Sequence, residues 1–236
     1  VLWKGKILTE SYWDDWNRQT RGRLYSASKS YLSSLVGIAI EEGSIGSVTD
    51  PSYLYLPEWR GDPEKEAITI EHQLSMTTGL EESGRNLLRL NFSNDERAFA
   101  AGLPITSPPG SNWYYNNPGY RLLFYVLEEA TGQSLPQYTR SRLLEPLGMT
   151  HTEWETRTRL ARGQSIQNYQ FLISNALDAA RFGLMILRGG EWDGRQILSL
   201  DWIRQATTAT DPDINPSYGY LWWLNGGDFH YRPLDE

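Results

Sequence analysis

The 236-residue chain has no cysteine. That excludes a disulfide framework, a thiolate zinc site and a cysteine nucleophile, and it leaves the compartment open, because exported and cytosolic proteins alike do without Cys. Histidine is nearly as scarce. His72, His151 and His230 stand far apart, each beside ordinary loop or helix signals, so a Ser-His-Asp triad has little support in the sequence. No apolar run reaches the roughly 18 residues of a membrane span. The motifs G-x-S-x-G, H-E-x-x-H, G-x-x-x-x-G-K and G-x-G-x-x-G are all missing, which removes the commonest nucleophile elbow, zinc-protease and nucleotide sites. With 22 Lys and Arg against 29 Asp and Glu the net charge is −7, and such a surface repels phosphate backbones and anionic membranes. No nucleic-acid partner is expected, and no metal or cofactor is called for.

What is present reads as one domain of mixed α/β type. VLWKGKILTES carries apolar residues on both sides of Lys4-Gly5-Lys6 and predicts a hairpin whose glycine supplies positive φ. From Ser26 to Ile40 apolar residues recur at helical spacing until Gly43, and the near-absence of charge marks that helix as buried. ITIEHQLSMTTGL predicts a short strand running into a helix that Gly79 ends, and residues 80 to 112 are polar and broken. Further helices are expected over Tyr120–Ala130, Leu135–Leu144, Asn175–Leu187 and Asp201–Ala206, with YGYLWWL as a final strand. Strands at both ends with helices between them imply an α/β lobe from 1–50 and 165–236 and a mainly helical lobe from 51–164. Only twelve residues follow Leu224, too few to complete a sheet, so the chain is expected to be incomplete at its C-terminus.

Two segments carry chemistry. In Ser26-Ala27-Ser28-Lys29, residues three apart share a helix face, so the Lys29 ammonium can reach the Ser26 hydroxyl. Ser26 would sit in the first helical turn, where unpaired N–H groups and the positive end of the dipole favour developing negative charge. A lysine in an apolar pocket can relay a proton, and the choice of lysine is consistent with that need in a chain of four lysines and eighteen arginines. A lone S-x-x-K also arises by chance, and Ser26 could then be an N-cap. The second segment is PPGSNWYYNNPGY, which places Tyr115 and Asn117 at the lip of a loop before a helix. A tyrosine beside an ammonium can act as a base, and an asparagine amide can bind a substrate carbonyl or orient the lysine. An aromatic plug over the core is the plainer alternative.

Together these segments resemble the serine β-lactamase and penicillin-recognising superfamily, in the branch that holds class C β-lactamases, D-alanyl-D-alanine peptidases, family VIII esterases and 6-aminohexanoate-dimer hydrolase. YSASKSYLSSLVGIAIEEGSI resembles the nucleophile helix, ITIEHQLSMTTGL the segment with a T-S-G-L ending, and PPGSNWYYNNPGYRLL the P-G…Y-S-N…G-Y block. LEEATGQSLPQYTRSRLLEPLGMTHTEW, ALDAARFGLMILRGGEWDGRQILS and YGYLWWL resemble the stretches that follow in order. The resemblance implies a β-lactamase/transpeptidase-like fold, with an antiparallel sheet flanked by helices plus a mainly helical lobe. It implies Ser26 as nucleophile, Lys29 as its partner, Tyr115 rather than Tyr114 as the proton carrier, and Asn117 as the substrate-binding amide. The third motif of the family, K-T-G or H-x-G, is not written after Trp223, and His230 is not assigned to it.

The expected function is a serine hydrolase that cleaves an ester or amide of a small molecule through an acyl-enzyme on Ser26, with no metal or cofactor. Carboxylesterase or 6-aminohexanoate-dimer-hydrolase-like amidase is favoured over β-lactamase or D-alanyl-D-alanine carboxypeptidase. A non-catalytic binding protein on the same fold is the rival from another class. Trp222 and Trp223 are by position the candidate lining of an apolar acyl pocket, with a place in the core as the alternative.

Overall fold

The computed structural model describes residues 1–161 and 163–225. The expected hairpin pairs β1 (Leu2–Trp3) with β2 (Lys6–Ile7). Its turn sets Lys4 at φ 49° and Gly5 at φ 77°, the positive pair that a two-residue hairpin turn demands. After a loop, β3 (Gly22–Arg23) leads through a 3₁₀ turn at Tyr25–Ala27 into α1 (Ser28–Glu41). Leu32, Leu35, Val36 and Ala39 of α1 are fully buried, and Ser33 and Ser34 are sealed with them. A helix apolar on nearly every face has to be wrapped, and α1 is covered by the helices that follow.

Short α2 (Pro63–Glu66) precedes α3 (Ile70–Leu74). α3 was expected to reach Gly79, but it stops at Leu74 because Met76 adopts φ 64° and turns the chain. The stretch read as broken holds two helices, α4 (Gly84–Phe92) and α5 (Glu96–Ala101), each opened by a side-chain cap from Ser83 and Asp95. The expected helices α6 (Asn117–Thr131) and α7 (Leu135–Thr139) follow, and α7 runs on into a π-helical turn at Arg140–Leu144.

A long antiparallel hairpin was not expected. β4 (Glu153–Ala161) and β5 (Gln164–Ser174) pair along most of their length, and β3 joins them in a sheet of order β3-β5-β4. Gly22 pairs with Ser174 and Arg23 with Ile173, so the strand that leads to Ser26 lies on the central strand. α8 (Ala176–Leu187), a small hairpin of β6 (Glu191–Trp192) and β7 (Arg195–Gln196), and α9 (Leu200–Ala206) complete the elements. YGYLWWL is not a strand: Leu221 takes φ 60°, and the chain reverses to leave an isolated bridge between Tyr218 and Trp223.

Candidate active site

Two long helices supply the polar groups. The 3₁₀ turn holds Ser26 at the surface, while Lys29, in the first turn of α1, is 2% exposed. Ser26 thus precedes the α-helix by two residues instead of lying inside it. Strand β5 fixes this corner, since the Leu24 N–H donates to the Leu172 carbonyl at 2.8 Å and the Leu172 N–H donates to Ser28 Oγ at 2.9 Å. Lys29 Nζ donates to Ser26 Oγ at 3.2 Å and to Asn117 Oδ1 at 3.2 Å. The same ammonium lies 4.7 Å from the Tyr115 ring centre and 4.0 Å from that of Tyr120, within cation–π range of both. All four residues singled out from the sequence therefore meet at Lys29, whereas Tyr114 is turned to solvent.

The doubled asparagine has a division of labour. Asn116 is the N-cap of α6: its Oδ1 accepts the Gly119 N–H at 2.6 Å, and its Nδ2 donates to the Leu80 carbonyl at 2.6 Å. Asparagine and serine cap equally well, so a cap can stand at this position with either residue, and Asn116 adds a tie to the Thr77–Leu80 segment. Gln73 Nε2 adds another tie from α3 to the Gly119 carbonyl at 3.1 Å. Gly119 has to be glycine here, since a Cβ would meet Asn116 Oδ1 at 2.8 Å and Thr78 Oγ1 at 2.9 Å. Asn117 is thereby delivered to Lys29 by a rigid helix start.

Two residues of the site escaped the sequence reading. Tyr120 lies three residues after Asn117 on the same face of α6, and that spacing is the signal that would have found it. Burial pushes its phenol up, but Lys29 and Arg121 outweigh that and hold it below the ordinary tyrosine value. Glu82 follows the Thr77–Leu80 segment in a stretch with no periodic pattern, and its Oε2 accepts the Asn117 backbone N–H at 3.0 Å. Burial pushes its carboxyl up to about 7, against the opposing pull of the Asn117 and Ser83 N–H groups and of the Arg121 and Lys29 charges.

Packed against Tyr115 stands a cluster of aromatic rings. Trp223 stacks on Tyr115 with ring centres 5.9 Å apart, and Trp113 and Tyr218 meet Trp223 edge-on at 5.7 Å and 4.9 Å. Trp223 remains 44% exposed, so part of its ring faces solvent next to Tyr115. Trp222 does not share that place, because it stacks on Phe182 at 6.3 Å and faces the core. Neither described histidine joins the cluster: His72 caps α3 with Thr69, and His151 donates its N–H to Asp178. His230 lies outside the described residues.

Comparisons with known proteins agree with this architecture. The beta-lactamase family model matches residues 1–231, and the chain belongs to that family, a family of serine hydrolases. An uncharacterized protein of Alkalihalophilus pseudofirmus is 23% identical over 95% of this chain and 69% of its own length. The structure titled "Putative 6-aminohexanoate-dimer hydrolase from Bacillus anthracis" superposes with a TM-score of 0.77 at 21% identity, covering 95% of this chain and 64% of that one. A D-stereospecific amidohydrolase from Streptomyces superposes with a TM-score of 0.64 at 18% identity, covering 85% and 70%. The chain spans only 37% of the Escherichia coli O157:H7 D-alanyl-D-alanine carboxypeptidase homologue that it matches at 25% identity. The fold is thus β-lactamase/transpeptidase-like, with helices around an antiparallel sheet.

Proposed function

We propose that this protein hydrolyses an ester or amide of a small molecule through an acyl-enzyme on Ser26. The observation that carries the reading is the approach of a buried Lys29 Nζ to within 3.2 Å of the Ser26 hydroxyl, beside the Tyr115 ring. Tyr115, with Lys29, takes the proton from Ser26 Oγ as that oxygen bonds to the carbonyl carbon. The electron pair moves to the carbonyl oxygen, and the Ser26 backbone N–H, in the turn that precedes α1, stabilises the oxyanion. Collapse breaks the bond to the leaving oxygen or nitrogen, which receives the proton held by Tyr115 and Lys29. The same pair then draws a proton from water as its oxygen adds to the acyl carbon; collapse breaks the bond to Ser26 Oγ, which takes that proton back and is released as the hydroxyl. Asn117 holds Lys29 through Oδ1, and the donor end of the same amide is the group a substrate carbonyl would take.

The esterase or amidase branch is favoured over the β-lactamase or D-alanyl-D-alanine carboxypeptidase branch. The preference rests on the S-x-S-K-S helix and the R-G-G-E-W-D-G-R-Q-I-L-S stretch, which resemble that side of the family, and on the aromatic rings packed against Tyr115. The test compares hydrolysis of a p-nitrophenyl ester, its anilide and benzylpenicillin by the complete protein. Faster turnover of the ester and anilide than of penicillin is expected; preferential penicillin turnover would overturn the branch assignment.

A further inference from the structure

We infer that Glu82 is a positioning residue of this site, holding the Lys29-bound Asn117 in place by accepting its backbone N–H and coupling the cluster to pH. The inference rests on the serine-hydrolase reading above. Asn117 is the first residue of α6, so its N–H is one of the orphan donors at a helix start, and a carboxylate there gains from the helix dipole as well as from the hydrogen bond. The carboxyl that takes this N–H is half-buried, and that burial pushes it up to about 7. The chain of contacts is short. Glu82 Oε2 to the Asn117 N–H is 3.0 Å, Asn117 Oδ1 to Lys29 Nζ is 3.2 Å, and Lys29 Nζ to Ser26 Oγ is 3.2 Å.

The charged groups around Glu82 set the direction. Lys29 faces it from α1 and Arg121 from α6, and the Ser83 N–H adds a hydrogen bond from its own segment. Glu81, next in the chain, is engaged elsewhere by the Asn86 side chain at 3.0 Å. Of these two cations Arg121 is already paired with Glu96 at 2.9 Å, whereas Lys29 bonds the neutral Ser26 and Asn117 side chains. Ionised Glu82 makes a charge-assisted bond to Asn117 and balances Lys29; protonated Glu82 makes a weaker bond and leaves Lys29 unbalanced. The cluster is therefore tightest on the alkaline side of neutrality.

The test follows the Asn117 backbone amide by 1H–15N NMR between pH 5 and 9 in the complete protein, wild type and Glu82→Gln, alongside kcat/KM for a p-nitrophenyl ester. The expected result is an Asn117 amide that titrates near pH 7 in the wild type and stays flat in Glu82→Gln. The variant, whose amide oxygen can still accept the N–H, should be about tenfold slower and lack the acid limb near 7. Glu82→Asp keeps the charge and should keep the limb, which preserves the test if the glutamine variant folds poorly. A flat wild-type amide, or an unchanged titration and limb in Glu82→Gln, would overturn the inference. Labelling by a fluorophosphonate keeps the two readings apart. An unlabelled wild-type Ser26 sinks the hydrolase reading, while an Asn117 amide that titrates with Glu82 still upholds the coupling.

Discussion

The polar side and the aromatic side of the site are built differently. On the polar side, Ser26, Lys29 and Asn117 stand at the starts of α1 and α6, and each helix start is tied down by buried hydrogen bonds: β5 to Ser28, Asn116 to Leu80, Gln73 to Gly119. On the aromatic side, Trp113, Tyr218 and Trp223 belong to loops and meet mainly through their ring faces and edges. Hydrogen bonds specify one geometry, whereas ring contacts tolerate small shifts. The difference fits the proposed division, with the chemistry on the first side and substrate choice on the second. Tyr115 belongs to both, since its ring touches Lys29 and Trp223.

The largest effect should come from the polar side. Lys29→Arg keeps the positive charge but cannot hand over a proton, and kcat is expected to fall roughly 10³-fold with a much smaller change in KM; steady-state kinetics on a p-nitrophenyl ester check this, and near-normal kcat would end the relay role. Asn116→Ala removes the cap of α6 and leaves the Leu80 carbonyl unpaired, a loss of about 2–3 kcal/mol by urea unfolding. Asn116→Ser should recover about 1 kcal/mol of it by restoring the cap.

A smaller effect concerns pH. The Glu82 carboxyl holds its proton more firmly in the folded protein than in the unfolded chain, with a folded value of about 7 against 4.5. Across that window the folded state binds the extra proton, so this group's contribution is fully present below pH 4.5 and is lost as pH rises through 7. Allowing for the solvent that still reaches the carboxyl, the contribution is about 1–2 kcal/mol, and Glu82→Gln should abolish that part of the difference between urea unfolding at pH 5 and pH 8. The smallest effect belongs to the aromatic side. Trp223→Ala should raise KM for an aromatic acyl ester about fivefold, leave kcat within about twofold, and scarcely touch stability, because roughly 1 kcal/mol of ring contact is at stake on a partly exposed residue. A large loss of kcat would blur the division between the two sides.

Much of this site could be read in advance because helix starts leave marks in sequence. S-x-x-K at the head of an apolar run and Y-N-N-P-G before an amphipathic one place Ser26, Lys29, Tyr115 and Asn117 on two helix starts, and α1, α6, α7, α8 and α9 lie close to where periodicity put them. The β4–β5 hairpin left no such mark. Most of β4 is at least partly exposed and carries Thr and Arg on alternate positions, so the apolar alternation that signals a strand is missing. YGYLWWL misled in the opposite way: its apolar run is a strand by composition, but a positive φ at Leu221 folds it back on itself. Glu82 was invisible because its role comes from a neighbour thirty-five residues away, a contact that only the fold supplies.

The central claim, that Ser26 forms a covalent bond with the substrate, is tested most directly by intact mass of the complete protein after brief exposure to a p-nitrophenyl ester. The account predicts a single acyl adduct on the wild type, localised to Ser26 by peptide mapping, and none on Ser26→Ala. Equal acylation of both proteins, or ester turnover that survives in Ser26→Ala, would contradict it.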